Sequence, residues 1–317
     1  MNLLTFLFLA LILLYSCSSS IDEHKIDEQK VEFISEFPEP TTLTGKKIET
    51  ENHGLYKLYY LDFIDSLLVV STNTDGKLIA VYDRNGKYLS GFGKIAQGPN
   101  EFNDAPLIYN HQIKNNQTFV TTFDINLLTL DKINLTQSIT DNHLVIENTY
   151  EFPKESRRIS TAFYVDSTKI IGVYEGQVYK NLDQRTGLYI FNPITGEFHT
   201  DRLPNIDFKS GKPSNVTYDH YITRLNSRRS DLSPSNTYFT TIMRYVPLLQ
   251  IFKVGKSSFE QVGSYYLDNE IRNHNYEIDL FEKDQYYSYY LDLTVSDKHV
   301  YLLKNSNRAL RDEAREV

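Results

Sequence analysis

One pattern constrains this chain more than any other: a short polar turn followed by an apolar strand returns five times along it. The copies read Asp65-Ser66-Leu67-Leu68-Val69-Val70, Asn115-Asn116-Gln117-Thr118-Phe119-Val120, Asp166-Ser167-Thr168-Lys169-Ile170-Ile171, Ser235-Asn236-Thr237-Tyr238-Phe239 and Ser296-Asp297-Lys298-His299-Val300-Tyr301. Between Ser66, Asn116, Ser167, Asn236 and Asp297 the spacings are 50, 51, 69 and 61 residues. Self-similarity at such a period belongs to architectures built from stacked supersecondary units. An apolar strand precedes each turn, and a hairpin follows each complete copy. The clearest hairpin is Lys77 to Tyr82, the turn Asp83-Arg84-Asn85-Gly86, then Lys87 to Phe92. Asn-Gly between alternating strands is a strong hairpin signal, because both residues accept positive φ. Leu188 to Phe191 with Glu197 to Thr200, and Leu248 to Lys253 with Phe259 to Tyr266, are parallel copies; Leu127 to Leu130 opens a weaker one.

Each unit therefore predicts four antiparallel strands in about 50 to 60 residues, the size of a β-propeller blade. A lone blade cannot bury both faces, whereas blades stacked around an axis bury one another. A β-sandwich would also recur in strands, but nothing would make its four-strand sets repeat. The 24 Tyr and 18 Phe suit half-buried pleated surfaces. The expectation is an all-β propeller over residues 31–317.

Between the first two units stands Tyr88-Leu89-Ser90-Gly91-Phe92-Gly93-Lys94-Ile95-Ala96-Gln97-Gly98-Pro99-Asn100-Glu101-Phe102. Its tail, G-x-x-x-x-G-P-N-E-F, with Val81-Tyr82-Asp83 and Gly86-Lys87-Tyr88-Leu89 before it, resembles the hallmark of TolB-like six-bladed β-propeller lipoproteins of Bacteroidetes. The resemblance is dense over residues 56–102 and implies a fold and a compartment. Physically, Gly91 and Gly93 would let a strand end and turn. Gly98-Pro99 would fix the crossing loop. Glu101 would accept loop amides, and Phe102 would pack between blades. Only two strands of the fifth unit are legible, and the chain ends in a charged, helix-prone stretch from Asn307 to Val317. A six-bladed ring thus lacks its closing strands: the propeller is short and open or the sequence is truncated at its C-terminus, and truncation is the expectation. Val31 to Ile48 would add one or two strands to a closing blade.

The N-terminus carries the compartment signal. Leu3 to Tyr15 is apolar for about 13 residues, too short to span a bilayer and right for a signal h-region. It ends in Leu14-Tyr15-Ser16-Cys17, which resembles a lipobox, so residues 1–17 read as a lipoprotein signal and Cys17 as the lipid-attachment residue. Residues 18–30 read as a flexible polar tether, with Asp22 and Glu23 resembling a surface-export signal. The expected location is the cell envelope, lipid-anchored to the outer membrane, with membrane lipid as a partner through Cys17. Cys17 is the single Cys, which excludes a disulfide framework and a Cys-based metal site.

Chemistry is sparse. A formal net charge of −8 argues against nucleic acid, which needs a clustered positive field. The eight His show no metal-ligand spacing, and there is no H-E-x-x-H, G-x-S-x-G or Walker A motif. No cofactor or metal is expected. The polar stretch Tyr218 to Asp231, between the third and fourth hairpins, mixes Arg with Tyr, the types that carry binding hot spots. Tyr221, Arg224, Arg228 and Arg229 are its candidate binding residues; a solvated inter-blade loop is the plainer reading. The functional expectation is a non-enzymatic module binding a protein or glycan ligand. The alternative is a hydrolase or lyase acting on a glycan or polymer-derived substrate at the propeller axis.

Overall fold

The computed structural model describes residues 32–33, 53, 55, 58–96, 98, 101–153, 159–175, 186–203, 227–244, 248–267 and 290–304. The segments read from sequence as signal and tether, and the charged C-terminal stretch, lie outside them. The described residues form a succession of antiparallel sheets joined in sequence order. The first is β2 (Leu58–Ile64), β3 (Leu67–Thr72), β4 (Ile79–Asp83) and β5 (Tyr88–Phe92). The second is β6 (Leu107–Lys114), β7 (Gln117–Asp124), β8 (Thr129–Asn134) and β9 (Ile146–Glu151). The third is β10 (Phe163–Asp166), β11 (Lys169–Glu175), β12 (Thr186–Phe191) and β13 (Phe198–Arg202). The fourth is β14 (Arg228–Leu232), β15 (Tyr238–Met243), β16 (Leu248–Val254) and β17 (Phe259–Tyr266). A fifth sheet contributes β18 (Tyr290–Val295) and β19 (Val300–Lys304).

The sheets stack face to face because their strands are apolar on both sides. In the third sheet, Ile170, Tyr189 and Phe191 bury against Phe123 and Leu130 of the second. Their strand neighbours Ile171, Val173, Leu188 and Ile190 bury against Leu232, Phe239 and Phe252 of the fourth. The period of two in a strand sends alternate residues to opposite faces. Val69, Ile79 and Val81 meet Val120 and Ile133 between the first and second sheets, and Ile242 and Leu249 meet Leu293 and Val295 between the fourth and fifth. The chain is thus a β-propeller with four complete four-stranded antiparallel blades and two described strands of a fifth. On the far face of the first blade Leu55 covers Leu68, Val70, Ala80 and Tyr82, while Leu61 and Phe63 are 63% and 54% exposed.

The repeated turns prove to be joints between blades. Lys169 donates from its Nζ to the Gly255 carbonyl at 2.9 Å, Asn236 Nδ2 to the Val165 carbonyl at 3.2 Å, and the Ser235 amide to Asp297 Oδ1 at 3.1 Å. These turns therefore stitch the third blade to the fourth and the fourth to the fifth.

Pro99 and Asn100 of the G-P-N-E-F loop, and with them the expected crossing turn, lie outside the described residues; Glu101 and Phe102 act as expected. Gly93 takes φ +94°, a side chain there would press on Leu78 and Phe102, the Gly98 amide donates to Glu101 Oε2, and Phe102 is 1% exposed between the first two blades. Gly91 differs from expectation: it stays inside β5.

Three further features differ from the sequence expectation. Asn85 does not use positive φ; the Asp83 carboxylate accepts the Asn85 and Lys87 amides, and the left-handed residue is Gly86. A short helix, α1 (Leu135–Asp141), interrupts the second blade's outer hairpin. Asn134 caps it by accepting the Gln137 amide at 3.0 Å, and Asn142 beyond it accepts the Ser90 hydroxyl of the first blade. Finally, the described part of the Val31–Ile48 segment is β1 (Glu32–Phe33), which pairs parallel with Tyr265 and Tyr266 on the outer edge of the fourth blade rather than starting a closing one.

Candidate functional site

The innermost strands β2, β6, β10, β14 and β18 line the axis. Their side chains form two tiers, since residues i and i+2 share a strand face.

The first tier lies where the innermost strands begin, opposite the stitched turns. Tyr109 of β6 donates its hydroxyl to the Ser160 carbonyl at 2.7 Å. The adjacent Thr161 hydroxyl meets Ser230 Oγ of β14 at 3.0 Å and accepts the Val173 amide of β11. These bonds draw the second, third and fourth blades together around Tyr109, whose phenol feels the charges of Arg229 and of Glu175 at the end of β11. Burial pushes the Tyr109 phenol well up; Tyr60 of β2 adds to this, Arg229 opposes it, and Glu175 adds again. Burial also raises the Glu175 carboxyl, against the pull of the Arg244 and Arg229 guanidiniums. Burial thus outweighs both cations. The Arg229 Nε is buried and has no hydrogen-bond partner among the described residues.

The second tier lies one step further along the strands. His111 Nδ1 of β6 stands 3.7 Å from Asp62 Oδ2 of β2. Asp231 of β14 accepts the Val295 amide of β18 at 2.8 Å and the Leu232 amide at 2.8 Å. Burial pushes its pKa up to about 7; the Val295 and Leu232 amides and the Thr294 hydroxyl pull it down, and the Asp62 carboxylate pushes it up. Among the described residues no group of three His, Cys, Asp or Glu is arranged to hold a metal ion.

The polar stretch read from sequence is divided by this geometry. Tyr221 and Arg224 lie outside the described residues. Arg228 and Arg229 belong to a strand instead of a loop, because β14 alternates between blade and axis. Arg228 turns into the fourth blade, 4% exposed, and donates to Gln250 Oε1 at 2.7 Å and Thr241 Oγ1 at 3.2 Å. Arg229 turns to the axis. Sequence reasoning missed Glu175, Tyr109, His111, Asp62 and Asp231. They come from four different blades, and no local motif joins them.

No family model matches the chain, and none of the curated proteins matches it in sequence. Similar solved structures include a protein from Bacteroides fragilis assigned as exported, at 17% identity over 79% of this chain and 66% of that one, with a TM-score of 0.41. The WD40 domain of Toxoplasma gondii coronin is 9% identical over 67% of this chain and 46% of that one, with a TM-score of 0.38. The Swd1 β-propeller domain of Myceliophteria thermophila is 11% identical over 68% and 61%, with a TM-score of 0.36. The chain spans less than two thirds of the length of each. Likeness at these levels bears on fold alone, and the architecture stands on the sheets and their packing.

Proposed function

We propose that this chain is a lipid-anchored β-propeller of the bacterial cell envelope, of the TolB-like six-bladed type, acting as a binding module with its ligand site on the propeller axis. The anchor rests on the apolar run ending in Leu14-Tyr15-Ser16-Cys17. Acyl chains each contribute about 0.8 kcal/mol per buried methylene, enough together to hold a protein at a membrane.

One observation carries the binding part: Arg229 reaches the axis with a buried Nε that no described residue satisfies, beside a Glu175 carboxyl that burial has pushed up. Buried polar groups left unmade cost folding free energy, and native structures keep them where a ligand, ion or water completes them.

The test is a thermal-shift screen of the full chain in detergent against sugars, sugar acids, amino acids and envelope oligosaccharides. At least one class should raise the melting temperature of the wild type and leave Arg229→Gln unmoved. A screen in which every compound treats the two proteins alike would remove the axial site.

A further inference from the structure

The face of the second blade that meets the first changes character along its length. Val120 and Ile133, directly opposed on β7 and β8, bury against the first blade. The next pairs on that same face are Thr122–Asp131 and Asp124–Thr129, because a period of two keeps alternate residues together. Thr149 of β9 is opposed to Asp131 in turn. Oxygen-bearing side chains thus take over from the apolar pair between two blades, with Thr122, Asp124 and Asp131 only 0%, 4% and 5% exposed.

Neither carboxylate has an ion pair among the described residues. Asp124 Oδ2 accepts the Asn103 amide at 2.9 Å, and its Oδ1 accepts the amides of Asn126 and Leu127. Asp131 Oδ1 accepts the Thr149 hydroxyl, and its Oδ2 accepts no hydrogen bond from the described residues. Two carboxylates offer about eight lone-pair sites, so roughly half remain. An independent mark points to the same place. The Thr122 hydroxyl is buried and has no hydrogen-bond partner among the described residues. Directly opposed side chains have Cβ atoms about 5 Å apart and diagonal ones about 7 Å. Thr122 therefore stands across from one carboxylate and beside the other without bonding to either. Such a group costs free energy unless something completes it. The carboxylates also oppose each other: burial pushes Asp131 up to about 6, the Thr149 hydroxyl draws it down, and Asp124 pushes it up again.

We propose that Asp124, Asp131 and the Thr122 hydroxyl hold a calcium ion at the joint between the first and second blades. The donors are all oxygen, the set that a hard cation takes, and a divalent charge cancels two buried negative charges that no described Lys or Arg pairs. Calcium accepts about six to eight oxygens in flexible geometry, so water completes its shell here. Magnesium demands a near-ideal octahedron and sheds its water reluctantly, which a site on two fixed strands suits less well. Because Asp124 also holds the Asn103 amide, the ion braces the passage of the chain from the first blade into the second.

The test uses the full chain in detergent near neutral pH, stripped with EDTA and then given about 5 mM calcium chloride, above the roughly millimolar dissociation constants of weak calcium modules. Calcium should raise the melting temperature by about 3 °C more than magnesium or sodium chloride at equal ionic strength. Asp131→Asn should abolish that difference, with circular dichroism confirming that it folds. Thr122→Val keeps the shape and removes the oxygen. In EDTA it should be no less stable than wild type, because the hydroxyl it removes has no partner there, and it should need several-fold more calcium for half the shift. Should Asp131→Asn fail to fold, Thr122→Val decides alone. A calcium shift no larger than that of magnesium, or one unchanged in both variants, overturns the proposal. So does a wild type indifferent to calcium whose Thr122→Val variant loses stability in EDTA, the result expected of a hydroxyl completed by buried water.

Discussion

Asp231→Asn should change the sign of its effect on stability as pH rises. In the folded chain the Asp231 carboxyl titrates at about 7, against an ordinary value of 3.8. The folded state therefore holds a proton that the unfolded state has released between roughly pH 4 and pH 7. Stability falls with rising pH across that window, and the cost is complete above pH 7. At about 1.4 kcal/mol per pH unit, a carboxyl raised this far costs on the order of 4 kcal/mol at pH 8 and about 0.5 kcal/mol at pH 4. Asparagine removes that cost but has one acceptor oxygen where Asp231 uses two, one for Val295 and one for Leu232. Losing one such bond costs about 1 to 2 kcal/mol at any pH. The variant should thus be less stable than wild type by about 1 kcal/mol at pH 4 and more stable by about 2 kcal/mol at pH 8, crossing near pH 5. Urea unfolding of both proteins at half-unit steps from pH 4 to 8 measures the difference, and carboxylates common to both cancel. A difference that does not vary with pH would refute the reasoning, because it would mean that Asp231 ionises in the folded chain as it does in the unfolded one.

Three further outcomes follow from packing, capping and anchoring. Phe102→Ala should destabilise by about 3 to 5 kcal/mol, read by urea unfolding, since the ring is buried between the first two blades and lies against Gly93. Asn134→Ala should cost about 1 kcal/mol by removing the α1 cap, and amide exchange should rise at Gln137 before the rest of the second blade. Cys17→Ser should move the protein from the detergent-rich to the aqueous phase on partitioning, without altering its circular dichroism.

The fold was legible where its causes are local. Turn chemistry at Asp65-Ser66, Asn115-Asn116 and Asp297-Lys298 is written in adjacent residues, and the left-handed backbone at Asp65, Asn115 and Asn116 is what such residues tolerate. The apolar strands beside those turns bury both faces, so they read as continuous hydrophobic runs. β14 escaped notice for the opposite reason. Arg-Arg-Ser-Asp-Leu has neither alternation nor an apolar run, because one Arg serves the blade interior and the next serves the axis. α1 was hidden because Asn134-Leu135-Thr136 begins a helix with a capping side chain inside a segment that otherwise repeats strand, turn, strand. Of the axial cluster only Arg229 was legible, as part of a polar Arg-rich stretch. Asp62, His111 and Glu175 are separated from one another and from Arg229 by about one blade each, and only the stacking of blades brings them together.

The parallel strand Glu32–Phe33 lies on the rim of the fourth blade, far in topology from the innermost strands. Fourteen residues separate it from Cys17, a leash of at most roughly 50 Å. Were Cys17 acylated as proposed, the propeller would hang from its circumference, like a wheel held by the tyre, and not from its hub.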